Sequence, residues 1–379
     1  MAGIYIHIPF CKRKCHYCNF FSQASLRRRS SFLGALMTEI RLQQTYLQGP
    51  VVDTIYFGGG TPSLLSASEI QTISDEINRY FSVVSNAEIT LEANPDDLNS
   101  LKIREFLSAG INRFSMGVQS FFDEDLLFLN RLHDSATAIR AINDVQDAGI
   151  SNISIDLIFG IPGMSLQKWE QNLELFFTFN LPHLSAYALT VEPKTTLYLL
   201  IRKNKMPAPD EEDAVEQFRL LIKKMRGADY EHYEISNFSK EGMISRHNSN
   251  YWKGVHYLGL GPSAHSYNGR SRRWNVSNLE SWFSNIKAGK TCYEEEILTP
   301  VQQHNEYVMT SLRTLKGCDT GQLTAIWGEA AARAFTGRAE KYVLSGEMVV
   351  SGGIYVLTDQ GKLFTDGISA DLFAGLDEA

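Results

Sequence analysis

The chain has 379 residues, with 36 Lys and Arg against 43 Asp and Glu, a formal net charge of −7 and 44% hydrophobic residues, which is the range of ordinary globular proteins. Disorder and collagen-like architecture are excluded, and no run approaches the roughly 18 to 20 apolar residues of a membrane span. The charge balance argues against a surface built to attract nucleic acid or anionic lipid, and the first ten residues lack a basic segment followed by a long apolar one, so the expected compartment is the cytoplasm.

Short β-rich runs recur along the first half, at Ile4 to Ile8, Asp53 to Phe57, Glu88 to Ala93, Arg113 to Val118, Ser154 to Phe159 and Leu184 to Leu189. Between them lie stretches of helical periodicity, such as Phe32, Ala35, Leu36, Glu39, Ile40 and Ile70, Ile73, Ile77, Tyr80, Phe81. Ser66, Ser68 and Glu69 read as a helix start, and Gly110 and Gly149 as helix ends. Strand alternating with helix predicts a parallel sheet. Six units are visible where a closed barrel has eight, so the expected fold is α/β, a partial (β/α)6 TIM-like barrel over residues 1–190. Its open side could admit a large ligand. A doubly wound open sheet is the alternative.

After Val191 the pattern changes to prolines, a charged helix near Asp210 to Arg226 and an aromatic, loop-rich tract, so 191–299 is expected to be a linker and motif-bearing region packing on the barrel. Residues 300–379 begin with a helix over Val301 to Leu315 and end with a hairpin of Met348 to Val350 and Ile354 to Leu357 around Gly352-Gly353. Helices plus a hairpin predict a winged-helix-like module. Counted from residue 301, six basic side chains face ten acidic ones there, which disfavours binding to phosphates and suggests a lid or partner surface.

Cys11, Cys15 and Cys18 follow the first strand at once, on the carboxyl end of the sheet where barrel enzymes build their sites. Three soft ligands on one loop suit zinc or an iron-sulfur cluster, and inert buried cysteines are the bland alternative. Zinc wants four ligands, and His16, the nearest candidate, is squeezed between two of the cysteines. A four-iron cluster on three thiolates would keep one iron open for chemistry. Tyr56-Phe57-Gly58-Gly59-Gly60-Thr61-Pro62 closes the second strand, and consecutive glycines let a backbone approach a ligand, or simply make a tight turn. Glu92, Gln119, Asp156 and Tyr187 put polar groups at later strand ends, each also readable as a satisfied polar residue.

The cysteine spacing resembles the signature of the radical S-adenosylmethionine (SAM) superfamily. The resemblance implies a 4Fe-4S cluster on Cys11, Cys15 and Cys18 whose open iron binds SAM, which the reduced cluster cleaves to a 5'-deoxyadenosyl radical, with the hard chemistry carried by the cofactors. It further implies that Gly58, Gly59, Gly60 and Thr61 hold the methionine part of SAM. Glu92, Gln119, Arg131 and Asp156 would meet its amino, carboxylate or ribose groups, Ile158 and Ala186 would line the adenosine pocket, and Tyr5 would join the SAM site.

Tyr5-Ile-His7-Ile-Pro9-Phe10-Cys11, Gly117-Val-Gln-Ser-Phe121 and Asp156-Leu-Ile-Phe-Gly-Ile-Pro-Gly163 resemble, over nearly the whole chain, the family of oxygen-independent coproporphyrinogen III dehydrogenases and their heme-chaperone relatives. The dehydrogenases carry a further cysteine where this chain has Phe20, and an N-terminal extension where ten residues precede Cys11; both departures point to the chaperone branch. His247-Asn-Ser-Asn-Tyr251-Trp252 is similar to the His-Asn-x-x-Tyr-Trp pattern of the heme-binding relatives. Imidazole is a good axial ligand for heme iron, Tyr251 and Trp252 can stack on the macrocycle, and Arg246 and Lys253 can pair with propionates. Read as a sequence alone, the hexapeptide is also a capped turn with a packed Trp.

The expected function is therefore a carrier that binds a 4Fe-4S cluster, SAM and heme, and passes heme to an acceptor, in the family picture a membrane respiratory protein. Coproporphyrinogen dehydrogenase is the alternative, with its activity expected to be absent, and a zinc scaffold is a remote third. Arg27-Arg28-Arg29 offers a dock for an acidic, flavodoxin-like electron donor. His7, His133, His183, His232, His256, His265 and His304, with Cys292 and Cys318, are expected to be structural.

Overall fold

Ile4, Ile6 and Ile8 are fully buried on one face of the first strand, while Gly3, Tyr5 and His7 occupy the other; a strand carrying two such faces belongs to a sheet covered on both. In the computed structural model, which describes residues 1–375, that strand β1 (Ala2–Ile8) is followed by β2 (Val52–Gly59), β3 (Val83–Ala93), β4 (Arg113–Gln119), β5 (Ile153–Phe159) and β6 (His183–Ala188). Each pairs in parallel with the next, in chain order. A doubly wound sheet reverses its strand order at a switch point, so this sequential order excludes that alternative and gives the six-unit fold expected.

Connecting helices bury their apolar stripes on the outer face: Phe32, Leu36 and Ile40 in the helix Arg29–Leu42, and Ile70, Ile73 and Ile77 in Ala67–Tyr80. Ser66 and Glu69 form the reciprocal cap that the sequence signals, and Gly110 and Gly149 end their helices with φ of +90° and +84°.

The sheet does not stop at six strands. A hairpin of β7 (Glu231–Glu234) and β8 (Asn237–Ser239) adds antiparallel to β6. At the other edge β9 (Tyr257–Leu260) pairs in parallel with β1, and β10 (His265–Tyr267), β11 (Ser271–Asn275) and β12 (Tyr293–Ile297) continue from it. The stretch expected as a linker thus supplies six of the twelve strands. Glu39 clamps this extension to the barrel, accepting hydrogen bonds from the Gly261 amide and Asn275 Nδ2, both at 2.7 Å. Its enclosure pushes the carboxyl up to about 7.

Residues beyond Thr299 form a second core around Val308, Leu312, Leu323, Phe335, Leu357 and Ile368. The helix Pro300–Leu312 leads to β13 (Cys318–Asp319), a long helix Thr320–Leu344 broken at Gly328, and the hairpin β14 (Met348–Ser351) and β15 (Ile354–Leu357). With β13 pairing on β15, this is a winged-helix-like arrangement. Positions 376–379 of the expected module lie outside the described residues. No described helix is long and apolar enough to cross a membrane.

Candidate functional site

Strand alternation aims Gly3, Tyr5 and His7 of β1 at the lumen together with Thr54, Tyr56 and Gly58 of β2, Glu88, Thr90 and Glu92 of β3, and Ser154, Asp156 and Ile158 of β5. The lumen is polar from end to end, unlike the branched aliphatic layers that fill a closed barrel.

At its carboxyl end the cysteine loop is fixed at several points. Lys12 pairs with Asp96 at 2.9 Å and with Asp97. Asn130 Nδ2 donates to the Lys14 carbonyl at 2.9 Å, and the Cys11 amide donates to the Gln23 carbonyl at 3.0 Å. His16 shares in this anchoring: its amide donates to the Leu129 carbonyl, its carbonyl accepts from the Leu197 amide, and its Nδ1 donates to the Phe128 carbonyl at 3.0 Å. That ring nitrogen is therefore not available as a fourth ligand. Among the described residues no three His, Cys, Asp or Glu side chains converge as ligands of one ion would. A cluster takes its thiolates on different irons, so it does not require that convergence. Burial, and then the neighbouring Cys15 and Cys11 sulfurs, push the Cys18 thiol up to about 11, against a hydrogen bond from the Phe20 amide. A cationic centre is what such crowded thiolates need. The donor set fits an iron-sulfur cluster with an open iron.

The glycine loop lies directly against the cysteine loop. A Cβ on Gly60 would fall 2.7 Å from the Phe10 carbonyl oxygen, and one on Gly59, whose φ is +108°, would fall 2.7 Å from the His7 ring. A Cβ on Gly58 would strike Tyr5 at 2.8 Å. These glycines are demanded by the protein's own packing, so a bulky residue at Gly59 disturbs the frame before any ligand. Thr61 is buried, donates to Cys11 Sγ at 3.5 Å and accepts from Asn94 Nδ2 at 3.2 Å, which ties both loops to the end of β3.

Glu92 accepts from the Tyr56 hydroxyl at 2.8 Å and the Gly59 amide at 3.1 Å. Burial, and secondarily Asp156, raise its carboxyl to about 7. Asp156, with Ser115 at 3.3 Å, is raised to about 6 by burial. Arg131 reaches Cys15 Sγ at 3.4 Å, and Asn94 Oδ1 and the Gly117 carbonyl at 2.6 Å each, while its Nε is buried without a partner. Gln119 stands at the bulged end of β4 with φ +70°, an unusual conformation for a side chain of its size. A Cβ on Gly117 would touch the Gln119 amide nitrogen at 2.7 Å and Arg131 at 3.2 Å. Glu92, Gln119, Arg131 and Asp156 therefore gather around one mouth with the cysteines. Ile158 is buried with lumen parity, whereas Ala186, paired with Leu157, has the opposite parity, so only its backbone can face the lumen. Tyr187 is 43% exposed at the rim.

The His247 motif lies elsewhere. It forms the helix Arg246–Trp252 under the amino end of the sheet, where the Arg246 and His247 amides donate to the Glu88 carboxylate at 3.1 and 2.9 Å. The His247 ring is 1% exposed, packs on Tyr56 with centroids 5.0 Å apart, and uses both nitrogens, with Thr54 Oγ1 and the Tyr251 hydroxyl each at 2.8 Å. Burial lowers it to about 3, so it is neutral. Gly3 lies beneath it; from that level to the cysteine loop is roughly 20 Å along β1, at about 3.3 Å per residue. The structure thus separates the motif histidine from the cysteine mouth and leaves it no free nitrogen for iron. Arg246 is likewise occupied, by the Asn86 and Asp53 carbonyls. Tyr251 and Trp252, by contrast, line a cavity.

Of the basic run, Arg28 pairs with Glu280 and Arg29 with Glu69, so two of the three charges serve the fold. Phe20 is 67% exposed. His183 is buried between Ser154 and the Tyr233 hydroxyl, as a structural histidine should be. Sequence reasoning passed over Thr54, Glu88 and Asn94. The available signal was polar residues at every second position of otherwise buried strands.

Residues 5–176 match the model of the radical SAM superfamily. The chain is 34% identical to the heme chaperone HemW of Bacillus subtilis, over 96% of this chain and 97% of that protein. It is 31% identical to the heme chaperone HemW of Escherichia coli, over 97% and 96%. Among solved structures, the radical SAM enzyme coproporphyrinogen III oxidase (HemN) of Escherichia coli superposes with a TM-score of 0.85 at 22% identity, covering 98% of this chain and 90% of that one, a likeness of fold.

Proposed function

We propose, for a chain that belongs to the radical SAM superfamily and within it to the family of the HemW proteins, that it carries heme: it binds a 4Fe-4S cluster, SAM and heme, and passes heme to an acceptor protein in the cytoplasm. The observation that carries this reading is similarity to the HemW proteins along essentially the entire length of both chains. The cysteine loop supports the cluster part, since it offers three thiols at a mouth lined by polar side chains.

When bound, the cluster supplies one-electron chemistry to the molecule on its open iron. This chain's residues supply the rest. Cys11, Cys15 and Cys18 hold the metal, and the Gly58–Gly60 backbone offers a close approach. Glu92 and Asp156, protonated more readily than ordinary carboxylates, take amino or hydroxyl groups as donors or acceptors, and Arg131 brings a fixed positive charge for a carboxylate. Acceptor and electron donor stay unidentified in this reading: the family picture supplies a respiratory acceptor and a flavodoxin-like donor.

The test is anaerobic reconstitution followed by parallel hemin titration and incubation with coproporphyrinogen III, SAM and a strong reductant. The expected result is about one cluster per chain, retained heme and no vinyl product on chromatography. Sustained turnover to protoporphyrinogen IX would replace the carrier reading with the dehydrogenase one, and stoichiometric zinc in place of iron and sulfide would remove both.

A further inference from the structure

Where β3 ends, Pro95 holds the residue before it, Asn94, in an extended conformation with φ −88° and ψ 142°, and opens a single turn over Pro95–Asp97. The Asn94 amide donates to Ser63 Oγ at 3.3 Å and its carbonyl accepts from the Asp97 amide at 3.0 Å, so its backbone is fixed on both sides. Arg131 follows the helix Asp123–Phe128, just past Asn130, which turns the chain with a φ of +61°. The fold thus brings the two side chains together from different βα units.

The chemistry of the groups allows one arrangement. A guanidinium only donates, so the Asn94 side-chain oxygen faces Arg131 at 2.6 Å and its NH2 faces Thr61 Oγ1 at 3.2 Å. Thr61 receives that hydrogen on its oxygen and turns its own toward Cys11 Sγ, 3.5 Å away. At the other end Arg131 aims Nη1 at Cys15 Sγ, 3.4 Å away, and its remaining acceptors are neutral oxygens, those of Asn94 and the Gly117 carbonyl. Among the described residues no carboxylate pairs with Arg131, so its positive charge is directed at sulfur. One amide side chain therefore governs a donor to each of two cysteines.

Reduction adds negative charge to a cluster, and hydrogen bonds to its sulfurs help to decide how readily that happens. Resting on the iron-sulfur part of the proposed function, we propose that Asn94 is a positioning residue that raises the cluster's reduction potential, by aiming the Thr61 hydroxyl at Cys11 and the Arg131 guanidinium at Cys15. No bond in this arc is made or broken when the single electron arrives from an external reductant. An aspartate in place of Asn94 has no hydrogen to give: it would accept from Thr61, turn that hydroxyl away from Cys11, and offset the Arg131 charge.

The experiment is a dithionite titration of the anaerobically reconstituted full chain without SAM, followed by electron paramagnetic resonance, on wild type, Thr61→Val, Asn94→Asp and the double variant. Both substitutions keep the shape of the side chain, and iron and sulfide analysis checks loading first. Each single variant should lower the reduced-to-oxidised ratio at a fixed potential about tenfold, a midpoint lower by about 59 mV for one electron. The double variant should fall short of the sum, because the hydroxyl that Asn94→Asp misdirects is already gone. Wild-type midpoints in the loaded single variants, or shifts that simply add, would overturn the proposal. Loss of the cluster from both single variants would overturn it too, since the arc would then be scaffold for assembly. A wild-type chain that takes up no iron and sulfide would overturn the cluster reading itself.

Discussion

Replacing His247 by Ala should destabilise the heme-free protein at neutral pH, and by an amount that depends on pH in a defined direction. The substitution leaves Thr54 Oγ1, which is fully buried, without its partner, and removes a ring packed on Tyr56. An orphaned buried hydroxyl costs about 1–3 kcal/mol and the cavity about 2 more, so the loss at pH 7.5 is about 4 kcal/mol. With an unfolding entropy of roughly 2.1 cal/mol/K per residue, that lowers Tm by about 5 °C for a chain this long. The imidazole is held down to about 3 by burial, so between pH 6.5 and 3 the unfolded chain takes up a proton that the folded one refuses. Wild-type stability from this group is complete above pH 6.5 and drains away as pH falls. At pH 4.5 the gap between wild type and variant should therefore have narrowed by about 3 kcal/mol. Urea unfolding of apoprotein at the two pH values reads both quantities. Equal stability at pH 7.5, or a gap that ignores pH, would show that the ring is exposed in solution and available to iron after all.

After anaerobic reconstitution, Cys11→Ala, Cys15→Ala and Cys18→Ala should each lose the iron and sulfide found by analysis, while Cys292→Ala and Cys318→Ala keep them. Gly59→Ala should lower stability by about 1–3 kcal/mol in thermal melts, because its φ of +108° and the His7 ring leave no place for a methyl group; a melt identical to wild type would mean the loop is loose. Glu39 has a folded value of about 7 against an ordinary 4.5, so its contribution is present at low pH and is lost as pH rises through 7. Glu39→Gln should accordingly gain on wild type by about 3 kcal/mol between pH 5 and pH 8 in urea unfolding, and a constant difference would contradict the burial argument.

The six parallel strands were legible because each is a short run of Ile, Leu, Val or Phe bounded by helical periodicity, a pattern that only a covered sheet explains. The extension strands were not. Ser271–Asn275 and Tyr293–Ile297 carry Arg272, Arg273 and three successive glutamates, and they pair with each other through charges at a sheet edge where apolar patterning is not required. At the site, the cysteine spacing spoke for itself, since three thiols in eight residues have few other uses. The hexapeptide did not: an imidazole between Arg246 and Tyr251 has the same letters whether it meets iron or Thr54. Its partner Thr54 stands 193 residues away, and only the fold brings the two together.

With the His247 ring wedged against Gly3 and Thr54, and Glu88 accepting from the helix beneath, the amino end of the lumen is stoppered by the chain's own side chains. A small molecule held at the cysteine end therefore has no way out along the barrel axis past His247, and any exchange takes place on the cysteine side of that ring.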